Sequence, residues 1–120
     1  MKDRNVYILT IHDCIQRIKE YTVGYNLDAF LKDHKTQDAV IRNIEVIGQA
    51  VKDFGVENLL HDFPDVPWEQ VAGMRNIIAH EYLGIDMTIT WEVVDAHLLS
   101  LEHAIMEMVQ AINAEPKPKQ

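Results

Sequence analysis

The sequence predicts an all-α fold, an up-and-down bundle of four main helices plus a short one, and three observations carry that prediction. Apolar residues recur at spacings of three and four through most of the chain. No segment sustains the period-two alternation of a strand. The last apolar seam, from Trp91 to Ile112, runs unbroken for about 22 residues, as in a long helix packed lengthwise in a bundle.

Taken in order, Tyr7, Ile11, Cys14, Ile18 and Tyr21 give the first helix its buried stripe, with Ile8, Ile15 and Thr22 beside it and Gly24 as the stop. A short helix follows from Leu27 to about Asp33, capped by Asn26, with Leu27, Phe30 and Leu31 facing inward. Thr36 is placed to cap the next, where Val40, Ile44, Ile47, Val51 and Phe54 keep the same rhythm as far as Gly55. Asp38, Arg42, Glu45 and Gln49 form a polar stripe on its other side. Val56 to Pro67 reads as a connector with one helical turn at Glu57 to His61. Pro67 suits the first turn of a fourth helix, Asp65 favours its start and Gly84 follows its end. Thr88 or Thr90 opens the last, in which Trp91, Val94, Leu98, Leu101, Ile105, Met108 and Ile112 form the seam. Residues 1–112 are therefore expected to form one domain. Residues 113–120, ending in alternating prolines and lysines, are expected to be a disordered tail.

Composition narrows the function. A chain of 120 residues, 48% hydrophobic and 25% charged, can bury a core without a disulfide or structural metal. Its lone cysteine, Cys14, cannot bridge within the chain. Its place in the first helix predicts a reduced, buried thiol in a cytoplasmic protein rather than a nucleophile. No apolar run is long enough for a membrane span, and the N-terminus carries charges too often for a signal peptide. The net charge of −8 has the wrong sign for a broad nucleic-acid-coating surface, though it leaves room for a small, locally cationic site.

The stretch that carries chemistry is "RNIIAHEY", residues 75 to 82. If the fourth helix continues through it, Asn76 and His80, four apart, lie one above the other with Arg75 at the border of the core face. Val71, Met74, Ile78 and Tyr82 then face the core. Gly73 costs roughly 1 kcal/mol relative to alanine inside a helix, so either a backbone or ligand comes close there, or it relieves crowding against helix one or five. Taken singly, His80 reads as well as a helix-end histidine, Arg75 as a solvated or paired charge, and Tyr82 as a core edge with a wet hydroxyl. Asn76 in mid-helix is expected to bond to something specific. The other histidines, at 12, 34, 61, 97 and 103, are scattered. "HEYLG" lacks the second histidine of a zinc-protease helix, so neither a metal nor a nucleotide cofactor is indicated.

Three blocks, "YTVGYNLDAFLKD", "TQDAVIRNIEVIGQA" and "PWEQVAGMRNIIAHEYLGID", resemble in order and spacing the HepT-like branch of the HEPN family, small helical proteins encoded beside minimal nucleotidyltransferases. The family hallmark is Arg, four to six residues, His, any residue, Tyr; Arg75, His80 and Tyr82 fit it. The resemblance implies a HEPN-like bundle and a toxin of a toxin–antitoxin pair that cleaves RNA as a metal-independent endoribonuclease. It also implies a homodimer whose two motifs share a cleft, and a nucleotidyltransferase antitoxin that transfers AMP to Tyr82. Arg75 and His80 would be catalytic, with Asn76 supporting them; Arg42 and Glu45 would have at most supporting roles. A non-catalytic partner that regulates a nucleotidyltransferase is the alternative that the acidic charge favours.

Overall fold

The computed structural model describes residues 4–80 and 84–114. The expected helical bundle is present, with α1 at Arg4–Tyr21, α2 at Leu27–Leu31, α3 at His34–Phe54, α4 at Val56–Asp62, α5 at Trp68–Ala72 and α6 at Met74–Ile78. Two-residue strands β1 (Ala79–His80) and β2 (Gly84–Ile85) follow, then α7 at Met87–Glu92, a π-helical turn at Val93–His97 and α8 at Leu98–Ala114. The tail beyond Ala114 lies outside the described residues.

The core forms where the apolar stripes meet. Ile8, Ile11, Ile15 and Ile18 of α1 pack with Val40, Ile44, Ile47 and Val51 of α3, and Leu98, Leu101 and Ile105 of α8 close the group. α1 and α3 run antiparallel: Arg4 at the start of α1 donates to the Phe54 carbonyl at 3.1 Å and lies 4.6 Å from the Phe54 ring centroid. Glu102 ties α8 to α1, accepting from Lys19 at 2.9 Å and Gln16 at 2.8 Å. Burial works against its charge, but these donors win and its pKa is lowered. Trp68 is fully buried, with its indole N–H satisfied by the Phe63 carbonyl at 2.9 Å.

Several boundaries differ from expectation. Asp33, not Thr36, caps α3: its carboxylate accepts the Thr36 N–H at 3.0 Å and the Thr36 hydroxyl at 2.7 Å. Tyr25 donates to the same carboxylate at 2.5 Å; this bond, then those from Thr36, hold the Asp33 pKa down at about 2. Asn26 does cap α2, and Phe30 is buried, but Leu31 and Tyr21 are exposed. The connector holds two helical turns rather than one. Asp86, not a threonine, opens the last helical run.

Up to the first residue of the π-turn the buried positions of that run are Thr90 and Val93; after the turn they are Leu98, Leu101, Ala104 and Ile105. Leu98 lies five positions after Val93, and its N–H donates to the Val93 carbonyl. The extra residue carries the buried face through a register shift that a regular helix would rotate out of the core.

The fourth helix is not continuous. It breaks at Gly73 and ends at Ile78, where β-branched side chains give way to the short strand pair, so Gly84 sits in a strand at φ +82° rather than at a helix end. The close approach expected at Gly73 occurs at Gly48 of α3 instead. A Cβ on Gly48 would sit 3.0 Å from the Ala72 carbonyl oxygen, whereas one on Gly73 would meet only the Glu69 and Gln70 carbonyls, at 3.5 and 3.9 Å. Neither helix one nor the last helix crowds Gly73 among the described residues.

Two predictions follow from this packing. Gly48→Val, which drives a branched side chain into backbone, should lower unfolding stability in urea by about 1–3 kcal/mol. Gly73→Ala, at φ −98° and ψ 15°, should raise it by about 0.4–1 kcal/mol; the reverse order would contradict the seating described. Because the folded pKa of Asp33 is depressed, its stabilising effect is full above the unfolded value and is lost as pH falls towards about 2. The stability gap between the wild type and Asp33→Ala should therefore narrow as pH falls through that window; a gap independent of pH would contradict the bonding described.

Candidate active site

The expected site residues fall on α6 and β1. Met74 and Ile78 are buried and pin α6 to the core, leaving Arg75 and Asn76 exposed on its outer side. The Asn76 N–H reaches back to the Gly73 carbonyl at 2.8 Å, which restarts the helix after its break. Since α6 ends at Ile78, Asn76 and His80 do not stack on one helix as expected: Asn76 is helical and His80 is in β1. The side chain of Asn76 makes no hydrogen bond among the described residues. The side chain of His80 and the whole of Tyr82 lie outside the described part of the structure.

The backbone on either side of the motif is closed tightly. Ala79 pairs with Ile85 and His80 with Gly84, antiparallel. The Asp86 N–H donates to the Ile78 carbonyl at 2.7 Å, joining the end of α6 to the start of α7. Asp86 also accepts the Thr88 and Ile89 N–H groups, at 2.9 and 3.1 Å. Gly84 takes a left-handed φ that a side chain would strain. Together these contacts fix the ends of the segment that carries His80. Sequence reading missed Asp86, although Asp two residues before Thr88 and three before Ile89 is a legible capping signal.

Arg75 meets an acid on another helix, one of its expected alternatives: its Nε lies 3.6 Å from Glu45 Oε1 of α3, with the two side chains 51% and 42% exposed. A pair this open, joined through one nitrogen and one oxygen, is worth about 0–1 kcal/mol. It holds the guanidinium beside α3, and the other N–H donors of Arg75 make no bond among the described residues. Arg42, one helical turn before Glu45, makes no ion pair among the described residues. Cys14 is buried, and burial pushes its thiol pKa up, so it remains a protonated packing group.

A family model described as ribonuclease HepT-like matches residues 11–108. The chain belongs to the ribonuclease HepT-like family. Membership in the HepT-like family makes it a ribonuclease, and the resemblance read from the three sequence blocks is borne out. A Thermococcus cleftensis protein named "Probable ribonuclease HepT" is 38% identical over 100 residues, covering 80% of this chain and 86% of its own. A "Putative RNase" of Methanocaldococcus jannaschii is 37% identical over 114 residues, covering 95% of this chain and 93% of its own. A second protein of that organism, "Gamma-glutamylcyclotransferase and putative RNase", is 35% identical over 118 residues, or 98% of this chain. The HepT-like chain spans only 53% of the length of that relative. No solved structure matches it.

Asp86→Ala removes the acceptor for two N–H groups at the start of α7 and should cost about 1 kcal/mol of unfolding stability. Chemical denaturation measures this, and an unchanged midpoint would show that the cap does not hold this end of the motif segment.

Proposed function

We propose that this ribonuclease is the toxin of a toxin–antitoxin pair, a metal-independent endoribonuclease that acts in the cytoplasm as a homodimer. Its catalytic groups are Arg75 and His80, with Asn76 in support. Its antitoxin is a minimal nucleotidyltransferase that silences it by transferring AMP to Tyr82. The observation that carries the reading is the full Arg75, His80, Tyr82 set in a HepT-like chain, with Arg75 exposed on α6 four residues before the start of the β1 segment that bears His80.

The side chains supply a complete reaction. The RNA 2′-oxygen attacks the adjacent phosphorus and the bond to the 5′-oxygen breaks, leaving a 2′,3′-cyclic phosphate and a 5′-hydroxyl. One imidazole takes the proton of the 2′-hydroxyl and another gives a proton to the departing oxygen; histidine, with an ordinary pKa of about 6.5, suits both tasks. Two His80 side chains across a dimer cleft divide these roles. Arg75 neutralises charge growing on the non-bridging oxygens, and Asn76 orients His80 or donates to the same phosphate. AMP on Tyr82 places bulk and negative charge beside Arg75 and competes with RNA for it. The net charge of −8 favours the second reading, a non-catalytic partner that docks on a nucleotidyltransferase.

The two readings separate on expression of the chain alone. The wild type should arrest bacterial growth and, when purified, cleave RNA in EDTA to cyclic-phosphate ends, with His80→Ala losing at least about 10²-fold in rate. Harmless expression and no cleavage would favour the docking partner, and full activity in His80→Ala would remove it as the catalyst. With the cognate transferase and ATP, intact mass should rise in the wild type and not in Tyr82→Phe; equal gains would place the modification elsewhere.

A further inference from the structure

The antiparallel packing of α1 on α3 leaves a trough along their outer side. Two hollows of about 460 and 440 Å³ adjoin there and share Thr10, Arg42 and Val46. The first contains Glu45, the partner of Arg75, and so opens beside the candidate active site. The second contains Arg17, with Tyr21 towards its far end beside Ala39. From Ala39 to Glu45 the trough follows six residues of α3, about 9 Å.

Its charge is unusual for this chain. Acids outnumber lysines and arginines by 19 to 11, yet Arg17 and Arg42 converge on the trough with no ion pair to any described residue. Both line the second hollow together with Cys14. Glu45, which would otherwise neutralise Arg42 one turn away, is turned to Arg75. Asp13, 4.0 Å from His12 Nδ1, also lines the second hollow, where the two arginines outnumber it; Asp53, which accepts from Gln49 Nε2 at 3.0 Å, lines the first beside Glu45. Tyr21, in a helix otherwise built around a buried face, is 37% exposed. Unpaired arginines spaced along a channel beside an open aromatic ring make up the surface that holds a single strand, with guanidinium on phosphate and ring on base.

We propose that the α1–α3 trough is the track on which single-stranded RNA approaches the site, Arg17 and Arg42 taking consecutive backbone phosphates and Tyr21 stacking a base. This rests on the reading that Arg75 and His80 cut RNA, and it names where the strand lies before and after the cut. It also reconciles an acidic protein with a polyanionic substrate. With a net charge of −8 most of the surface repels RNA, which favours a strand held where two neighbouring arginines have no acid partner among the described residues.

The test measures binding of a short fluorescent oligouridylate to the full chain carrying His80→Ala, which keeps the probe intact, across about 50 to 200 mM salt. Adding Arg17→Ala and Arg42→Ala should weaken binding roughly tenfold near physiological salt and reduce the log–log salt slope by about 1.4, the release of about 0.7 counterion per single-strand phosphate. Arg17→Lys with Arg42→Lys should restore the slope, and Tyr21→Leu should weaken binding about fivefold or more while leaving the slope unchanged. Unchanged affinity and slope in the double alanine protein, or no RNA binding by the parent, would overturn the proposal. Loss of co-purifying nucleotidyltransferase with RNA binding intact would also overturn it, by assigning the trough to a protein partner. Should His80→Ala still cut RNA, the catalytic reading fails separately and the trough is judged by KM instead, which the double alanine variant should raise about tenfold.

Discussion

Gly48 of α3 sits so close under the end of α5 that a Cβ there would lie 3.0 Å from the Ala72 carbonyl oxygen. Because Gly48 has no side chain, α5 can seat its last carbonyls directly on α3, and the chain must turn at that depth before it can continue. Met74 and Ile78 then anchor a new short helix, and Arg75, between them in sequence, emerges over the polar stripe of α3 beside Glu45. A side chain at 48 would press on the Ala72 carbonyl and strain the seat of α5, from which the chain turns to carry Arg75. Packing density at one glycine thus sets where charge meets charge on the surface.

The weakness of the Arg75 to Glu45 contact is part of its use. A buried, fully bonded pair would be costly to open, whereas an exposed single contact places a cation at little energetic cost and yields it to a stronger acceptor. By occupying Glu45, Arg75 also leaves Arg42 unneutralised. In a chain with so large an acidic excess, local pairing rather than net charge decides where a polyanion can rest.

The sequence made α1, α3 and α8 legible because buried faces impose a three-four rhythm and Gly24 and Gly55 end the first two, each at a positive φ. The break after Ile78 was not legible in the same way. Val71, Met74 and Ile78 are spaced for a helix and all are buried, so periodicity reports their burial without reporting the path between them. What redirects the chain is a left-handed Gly84 and one backbone bond from Asp86, neither of which alters the apolar pattern. Gly48 was hidden because a glycine in a well-patterned helix gives no sign of what packs on it, while Gly73 drew attention through the motif nearby. The π-turn was hidden likewise: adjacent valines at 93 and 94 fit either register, and only the partner surface selects Val93. Of the candidate site residues, Arg75, Asn76, His80 and Tyr82 were singled out by type, spacing and the family resemblance, but the cation–acid contact at Arg75 spans thirty positions of sequence and needed the fold.

A crystal structure of the chain bound to a 2′-O-methyl RNA, which lacks the attacking hydroxyl and so stays whole, would examine directly the idea that one continuous surface both holds and cuts the strand. The expected result is a phosphodiester contacted by Arg75 and His80, with the adjoining nucleotides lying over Arg42 and Arg17. A strand bound on another face, or α5 lifted from Gly48 so that Arg75 points away from α3, would contradict it.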